Sequence, residues 1–196
     1  MKETVAHSDI SHNYKGRELS FYNYFEKFAQ KYKSYKKRFK YYWNDISNFI
    51  NLFLHKDDSI LDVGCGVGDG LNQLKGKRKV GVDFSPSMIA NAKNEYPDIE
   101  FHTMNAMDIS LDEQFDVVVL SNVIGYLENI EDVLLSVRKV CHDRTKVIIS
   151  YYNQTWQPFI NFAELIGVKK KSPVQNWLST KDIENLLYLA GFETYR

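Results

Sequence analysis

The stretch Asp62-Val63-Gly64-Cys65-Gly66-Val67-Gly68-Asp69-Gly70 puts glycine at every second position, directly after the apolar run ending at Val63. Without a Cβ, such a loop lets backbone groups approach a ligand, and a buried strand feeding it can aim N–H groups there. A dinucleotide fingerprint needs G-x-G-x-x-G. Counted from Gly64 the third glycine is Asp69, and counted from Gly66 and Gly68 it is Leu71, so both registers fail. A P-loop needs G-x-x-x-x-G-K-[ST]. Gly76-Lys77 is followed by Arg78, and Leu71 stands where the first glycine belongs. The acidic flanks Asp62 and Asp69 also suit a pyrophosphate poorly. Asp83 ends the next apolar run. A carboxylate there can accept two hydrogen bonds from a ribose diol.

Other chemistry is sparse. No His, Cys, Asp or Glu cluster has metal-ligand spacing, so no metal is expected. Cys65 and Cys141 are isolated and form neither a CxxC nor a zinc pattern. They read as small buried thiols in a reducing compartment. His7 and His12 lie in the polar start, His55 in a linker, His102 in a strand and His142 at a helix end. None is selected as a general base.

Alternating elements must position these residues. Strands are expected at Ser59–Val63, Lys79–Asp83, Ile99–Met104, Phe115–Leu120 and Lys146–Ser150. A helix begins near Leu71 and Leu74 and ends by Gly76. Ser85 caps a helix with Pro86 at its first position, running through Asn94. Asn129 caps another, whose Val133, Val137, Val140 and Cys141 share a face. Ser179 and Asp182 form a capping box before Ile183, Leu186, Leu187 and Ala190, with Gly191 as C-cap. Short β-branched strands separated by helices describe an α/β, mainly parallel sheet with helices on both faces. Phe192–Arg196 reads as the beginning of a further strand.

Two segments stand outside this rhythm. From Leu19 to Ile50 the chain is aromatic and basic, and Phe21, Phe25, Phe28, Tyr32, Tyr35 and Phe39 fall at helical spacing. Lys27, Lys31, Lys33, Lys36, Lys37, Arg38 and Lys40 fill the other faces. A second helical run spans Trp43 to Leu54. The stripe reads as a core-facing surface with a solvated basic back, and the alternative is a platform for single-stranded nucleic acid. Tyr151–Leu178, with Trp156, Pro158, Lys169-Lys170-Lys171 and Pro173, is a long connection of the kind that carries function.

The chain has 196 residues with 44% hydrophobic content, enough for one full core. Formal net charge is zero, so no overall field draws nucleic acid or membrane. The start, Met1 to His12, is polar with no signal-peptide pattern, and no apolar run can span a bilayer. A cytoplasmic protein is expected.

Ile60–Leu71, Val80–Lys93, Ile99–Ile109 and Phe115–Tyr126 resemble, in order and spacing, the consecutive motifs of class I S-adenosylmethionine-dependent methyltransferases of the small-molecule type. The likeness covers roughly residues 40–196. It implies a doubly wound Rossmann-like fold with S-adenosylmethionine as cofactor and S-adenosylhomocysteine as product. Asp62, Gly64, Cys65, Gly66 and Gly68 would wrap the methionine part, and Asp83 would hold both ribose hydroxyls. Phe84 and Met88 would pack on the adenine, with Asn105, Ala106 and Met107 at its edge. Asn105 departs from the acidic residue common there, though its amide oxygen can still accept from the adenine amino group. Ser121 and Asn122 would lie beneath the sulfonium, and Val123, Ile124 and Tyr126 would close the floor. Phe25-x-x-x-Ala29-x-x-Tyr32 resembles the family's lid, from which Tyr32 would reach the cofactor carboxylate.

The resemblance divides the chain into an arm and helical lid at 1–54 and a cofactor-binding core at 55–196, with 151–178 as a cap. Substrate contacts are assigned to Tyr126, Tyr151, Asn153 and Trp156. Strand 4 runs into Leu120-Ser121-Asn122-Val123 and lacks the [DN]-P-P-[YF] of members acting on base or glutamine nitrogens. The expected reaction is in-line methyl transfer to a small-molecule, glycan or lipid-linked acceptor, with nucleic acid disfavoured. The alternatives are a non-catalytic cofactor-binding module of a larger protein and an RNA methyltransferase. The family's closing hairpin is expected to be cut short near Arg196, leaving a sheet edge open to self-association.

Overall fold

The computed structural model describes residues 16–152, 155, 157–167 and 176–195, the side chains of 33–39, 163 and 164 excepted. Five strands form one sheet: β1 (Ser59–Val63), β2 (Arg78–Asp83), β3 (Glu100–Thr103), β4 (Phe115–Ser121) and β5 (Cys141–Ser150). Their order is β3-β2-β1-β4-β5, and every pair is parallel. Six α-helices accompany them among the described residues: α1 (Gly16–Ile50), α2 (Asp69–Asn72), α3 (Pro86–Glu95), α4 (Ile130–Lys139), α5 (Gln157–Leu165) and α6 (Thr180–Leu189). A 3-10 turn covers Ile124–Tyr126. The doubly wound parallel α/β reading is borne out.

Strand alternation splits the core into two layers. Leu61, Val63, Val80, Val82, Val118 and Leu120 face Val133 and Val137 of α4. Ile60, Val117 and Val119 face the other way, toward Ile89 and Ala92 of α3, Leu71 of α2 and Ile50 at the end of α1. Each of these side chains is almost wholly buried. Burying one such residue contributes roughly 1.5–3 kcal/mol, so one polar substitution in either layer is costly. Asp62 shares the parity of Ile60, which puts a carboxylate on the α1–α3 side of the sheet.

The helix starts follow their expected chemistry. Ser85 Oγ accepts from Met88 N at 3.1 Å with Pro86 in the first turn. Asn129 Oδ1 accepts from Asp132 N at 3.3 Å, and Ser179 and Asp182 form the reciprocal capping box.

Four expectations are corrected. The aromatic segment and the Trp43 run are one continuous 35-residue helix, because no proline or glycine interrupts 17–50. The helix after the glycine loop is only four residues long. β5 begins at Cys141, not Lys146, with a register shift between the pairs at Phe115 and Val117 that absorbs the intervening turn residues. Cys141 therefore opens a strand. Residues 192–195 form no strand. Gly191 (φ 79°) turns the chain, and Phe192 packs onto the core with the Arg138 guanidinium 5.5 Å from its ring. Beyond β5 no further strand pairs with the sheet among the described residues.

Candidate active site

From β1 the sheet grows through β2 and β3 on one side and through β4 and β5 on the other. Open α/β sheets take ligands in the crevice at the carboxyl ends of the strands flanking such a switch point. The glycine loop leaves β1 there and meets the chain leaving β4. An added Cβ on Gly64 (φ 77°) would lie 2.5 Å from Val123 Cγ2. Asn122, at the end of β4, holds the left-handed conformation (φ 56°), which for a residue with a side chain marks a local strain that surrounding contacts must hold.

The loop's donors are used inside the protein. Gly64 N and Cys65 N donate to Val82 O at 2.8 and 3.0 Å, Gly66 N to Asp83 Oδ2 at 2.9 Å and Gly68 N to Cys65 O at 3.0 Å. The loop is thus tied to the end of β2 and does not present these N–H groups to an anion. Gly68 does not line the cavity described below. A Cβ there would meet Phe101 Cζ at 2.7 Å, so this glycine serves the packing of the loop on β3.

Three carboxylates surround the loop. Asp83 is buried, and its oxygens accept from Gly66 N and Ser85 N, each at 2.9 Å. Burial raises its pKa to about 6 against those hydrogen bonds. Asp62 is 6% exposed and receives no hydrogen bond from the described residues. Burial, then the charge of Asp83, raises it to about 7. Asp69 accepts from the hydroxyls of Tyr32 and Tyr96. Burial also holds the Cys65 thiol well above its ordinary pKa, which keeps it protonated and unreactive.

Helix α1 roofs the crevice. Its stripe of Phe21, Phe25, Phe28 and Tyr32 faces inward, and Phe21 and Phe25 meet Tyr126 edge-on at 5.5 and 5.1 Å. Phe25 also contacts Phe84 at 5.9 Å. Glu26 fastens the roof to the start of α3, accepting from Ser85 Oγ at 2.5 Å, Ser87 Oγ at 2.6 Å and Ser87 N at 3.2 Å. Asn91 Nδ2 adds a bond to Ala29 O at 3.0 Å. Beneath lies a cavity of about 260 Å³.

Of the residues picked out by sequence, Tyr32, Gly64, Cys65, Gly66, Asp83, Phe84, Met88, Asn105, Ala106, Met107, Ser121, Asn122 and Tyr126 line this cavity. Asp62 lies behind it, in a small adjoining void with Ser47 and Trp43. Tyr32 points to Asp69 rather than into open space. Asn105 Oδ1 accepts from Met107 N at 3.0 Å, closing a turn, so the amide oxygen expected for adenine is occupied by the backbone. Tyr151 does not line the cavity. It packs with Ile183 and Leu186 of α6 and its hydroxyl reaches Thr180 Oγ1 at 3.3 Å. Asn153 and Trp156 lie outside the described residues.

Sequence reading missed Glu18, Glu26, Trp43 and Glu128, of which Glu18, Trp43 and Glu128 line the cavity. A signal existed for the first two. Glu18 and Glu26 are four residues before and after buried Tyr22, so they share its helix face. Among the described residues no Lys, Arg or His lines the cavity. His102 pairs with Glu100 at 2.6 Å and His142 lies 3.3 Å from Asp116, both away from it.

A family model described as a methyltransferase domain matches residues 61–149. A solved S-adenosylmethionine-dependent methyltransferase from Thermotoga maritima, titled a possible histamine N-methyltransferase, superposes with a TM-score of 0.73 at 19% identity. That match covers 88% of this chain and 81% of the other. Residues 61–149 thus match a methyltransferase domain, and the fold is that of the Thermotoga methyltransferase. A putative methyltransferase of Invertebrate iridescent virus 6 is 31% identical over 91 residues, 44% of this chain and 34% of that protein. The chain thus spans about a third of this viral relative. A demethylmenaquinone methyltransferase of Oceanobacillus iheyensis is 25% identical over 212 residues, covering 90% of this chain and 88% of that protein.

S-adenosylmethionine is the cofactor named for the Thermotoga structure, and the residues present in this chain fit it. An added Cβ at Gly66 would meet nothing within 4 Å, so the loop leaves room on its inner side. Asp62 is a buried carboxylate with no hydrogen-bond donor among the described residues, which suits an ammonium group. The flat face of Phe84 and the thioether of Met88 suit a nucleobase.

Proposed function

We propose that this domain transfers a methyl group from S-adenosylmethionine to a small-molecule acceptor that is uncharged or carries an amine. The observation that carries this reading is the cavity wall: aromatic side chains from α1, four carboxylates and no basic group among the described residues. Such a wall rejects phosphate and carboxylate acceptors electrostatically. It favours apolar rings and amines, which aromatic faces and carboxylates stabilise together.

When bound, the cofactor supplies a methyl group activated by its sulfonium. Asp62 and the Gly64–Gly66 loop hold its amino-acid end, and Asp83 its ribose. Phe84, Met88, Asn105, Ala106 and Met107 enclose its base. Ser121, Asn122 and Tyr126, with the α1 roof, border the acceptor side. Gly68 and Tyr32 keep the loop and roof in place. Displacement at a methyl group needs alignment and exclusion of water more than acid–base chemistry. The roof of Phe21, Phe25 and Phe28 meets both needs.

The RNA reading requires aromatics free to stack on bases. Phe21, Phe25, Phe28 and Tyr32 are turned into the cavity, which weighs against it. Both the Oceanobacillus relative and the Thermotoga structure carry descriptions naming small-molecule acceptors.

The test supplies S-adenosylmethionine with panels of amines, phenols, carboxylic acids and RNA and measures S-adenosylhomocysteine. Turnover confined to amines or phenols is expected. Turnover on RNA or acids alone would overturn the acceptor class. Tight cofactor binding with no turnover on any panel would favour a non-catalytic module.

A further inference from the structure

Glu18 stands in the first turn of α1. An acid there commonly complements the positive end of the helix. That role does not explain where its carboxylate lies. Glu18 lines the cavity together with Asn105 and Glu128, and its charge interacts with both. Burial and Glu128 raise its pKa, and the Asn105 side chain lowers it. A helix N-terminus alone would lower it.

The surroundings limit what this carboxylate can meet. Asn105 already accepts from Met107 N through its side-chain oxygen. Ala106 and Met107, next to it, bring apolar side chains. The β3 loop therefore has the oxygen of its one polar side chain at the cavity engaged by its own backbone. Glu128 is exposed at the rim, whereas Glu18 is half-buried. Two like charges beside a cavity with no basic side chain among the described residues favour an N–H donor there over another acceptor, and the half-buried Glu18 is the one less screened by water.

We propose that Glu18 accepts a hydrogen bond from the exocyclic amino group of adenine, so that the roof helix, and not the β3 loop, reads the base. This rests on the cofactor placement given under Proposed function. Adenine offers an N–H donor at that edge. Hypoxanthine, its deaminated form, offers a carbonyl oxygen, which a carboxylate repels. Glu18 lies three and seven residues before Phe21 and Phe25, on the same face of α1. The helix that reads the base is thus the same one that covers the acceptor space.

The test compares S-adenosylhomocysteine with S-inosylhomocysteine by calorimetry on the full chain and on Glu18→Ala, Glu18→Gln and Glu128→Ala. The wild type should prefer the adenine ligand by about tenfold or more, as expected for a hydrogen bond to a charged acceptor. Glu18→Ala should weaken the adenine ligand and strengthen the inosine ligand, collapsing the preference. Glu18→Gln, which keeps an acceptor, should retain part of it, and Glu128→Ala should keep most of it. A merely structural role for Glu18 would weaken both ligands together. Equal losses, an unchanged preference in Glu18→Ala, or a collapse caused by Glu128→Ala alone would overturn the assignment. If the wild type binds neither ligand, the cofactor placement itself fails, a result distinct from the loss of Glu18's role.

Discussion

The hydroxyl of Tyr32 donates to the carboxylate of Asp69. This bond joins residue 32 of the roof helix to the residue that follows the glycine loop. Tyr96 donates to the other Asp69 oxygen at 2.5 Å, so α1 and the end of α3 converge on one buried acid. Burial first, then Asp69, push the Tyr32 hydroxyl far above its ordinary pKa, and it remains a donor at every physiological pH.

Tyr32→Phe removes this donor while keeping the ring. A hydrogen bond to a charged acceptor contributes about 1.5–3 kcal/mol. Amide exchange in the first half of α1 should accelerate by roughly tenfold or more, with sheet amides unchanged. Unaltered exchange in α1 would mean that aromatic packing alone holds the roof.

Glu26 takes three donors at the start of α3. Glu26→Ala should destabilise the fold by about 2–3 kcal/mol. Urea unfolding should show a lower midpoint with an unchanged slope. A loss below about 0.5 kcal/mol would place Glu26 with ordinary surface acids.

The loop glycines should separate by role. Gly68→Ala forces a Cβ to within 2.7 Å of Phe101 at φ 78°, and it should lower the melting temperature sharply. Gly66→Ala adds a Cβ that meets nothing within 4 Å, at φ 56°. The left-handed conformation costs about 1–2 kcal/mol there. The larger effect of Gly66→Ala should be on S-adenosylhomocysteine affinity, measured by calorimetry. Equal effects on melting and unchanged affinity in Gly66→Ala would count against the cradle.

Asp62 makes stability depend on pH in a defined direction. Its folded pKa, about 7, exceeds the unfolded carboxylate value. The folded state therefore binds the proton more tightly, and this group's contribution is full below pH 4 and lost as pH rises through 7. Asp62→Asn should stabilise the ligand-free protein at pH 8 by about 1–3 kcal/mol, with the gain fading toward pH 4. Melting temperatures of both proteins across pH 4–8 measure it. A gain independent of pH would assign the effect to something other than the buried charge.

The strands were legible because β-branched runs such as Val117-Val118-Val119 and Val147-Ile148-Ile149 have one stable use, a sheet buried on both faces. Caps at Ser85, Asn129 and Ser179 were legible because a local side chain satisfies a local backbone donor. β5 was read short. His142-Asp143-Arg144-Thr145 is polar, and only pairing of Cys141 with Phe115 extends the strand through it. Tyr151 was misplaced because its position after a parallel strand suggests a ligand, whereas packing against α6 turned it aside.

Local sequence determined the glycine loop, its failure to match phosphate patterns and the carboxylate at the end of the next strand. These depend on residue type and spacing within a few positions. Tertiary structure alone decided that Val82 and Asp83 take the loop's N–H groups, that Asp62 is buried with no donor among the described residues, that Glu18 lines the cavity and that Glu26 reaches Ser85 and Ser87. Those outcomes depend on which residues distant in the chain come within hydrogen-bond range. That is set by how α1 lies across the sheet, a long-range choice that no local pattern encodes.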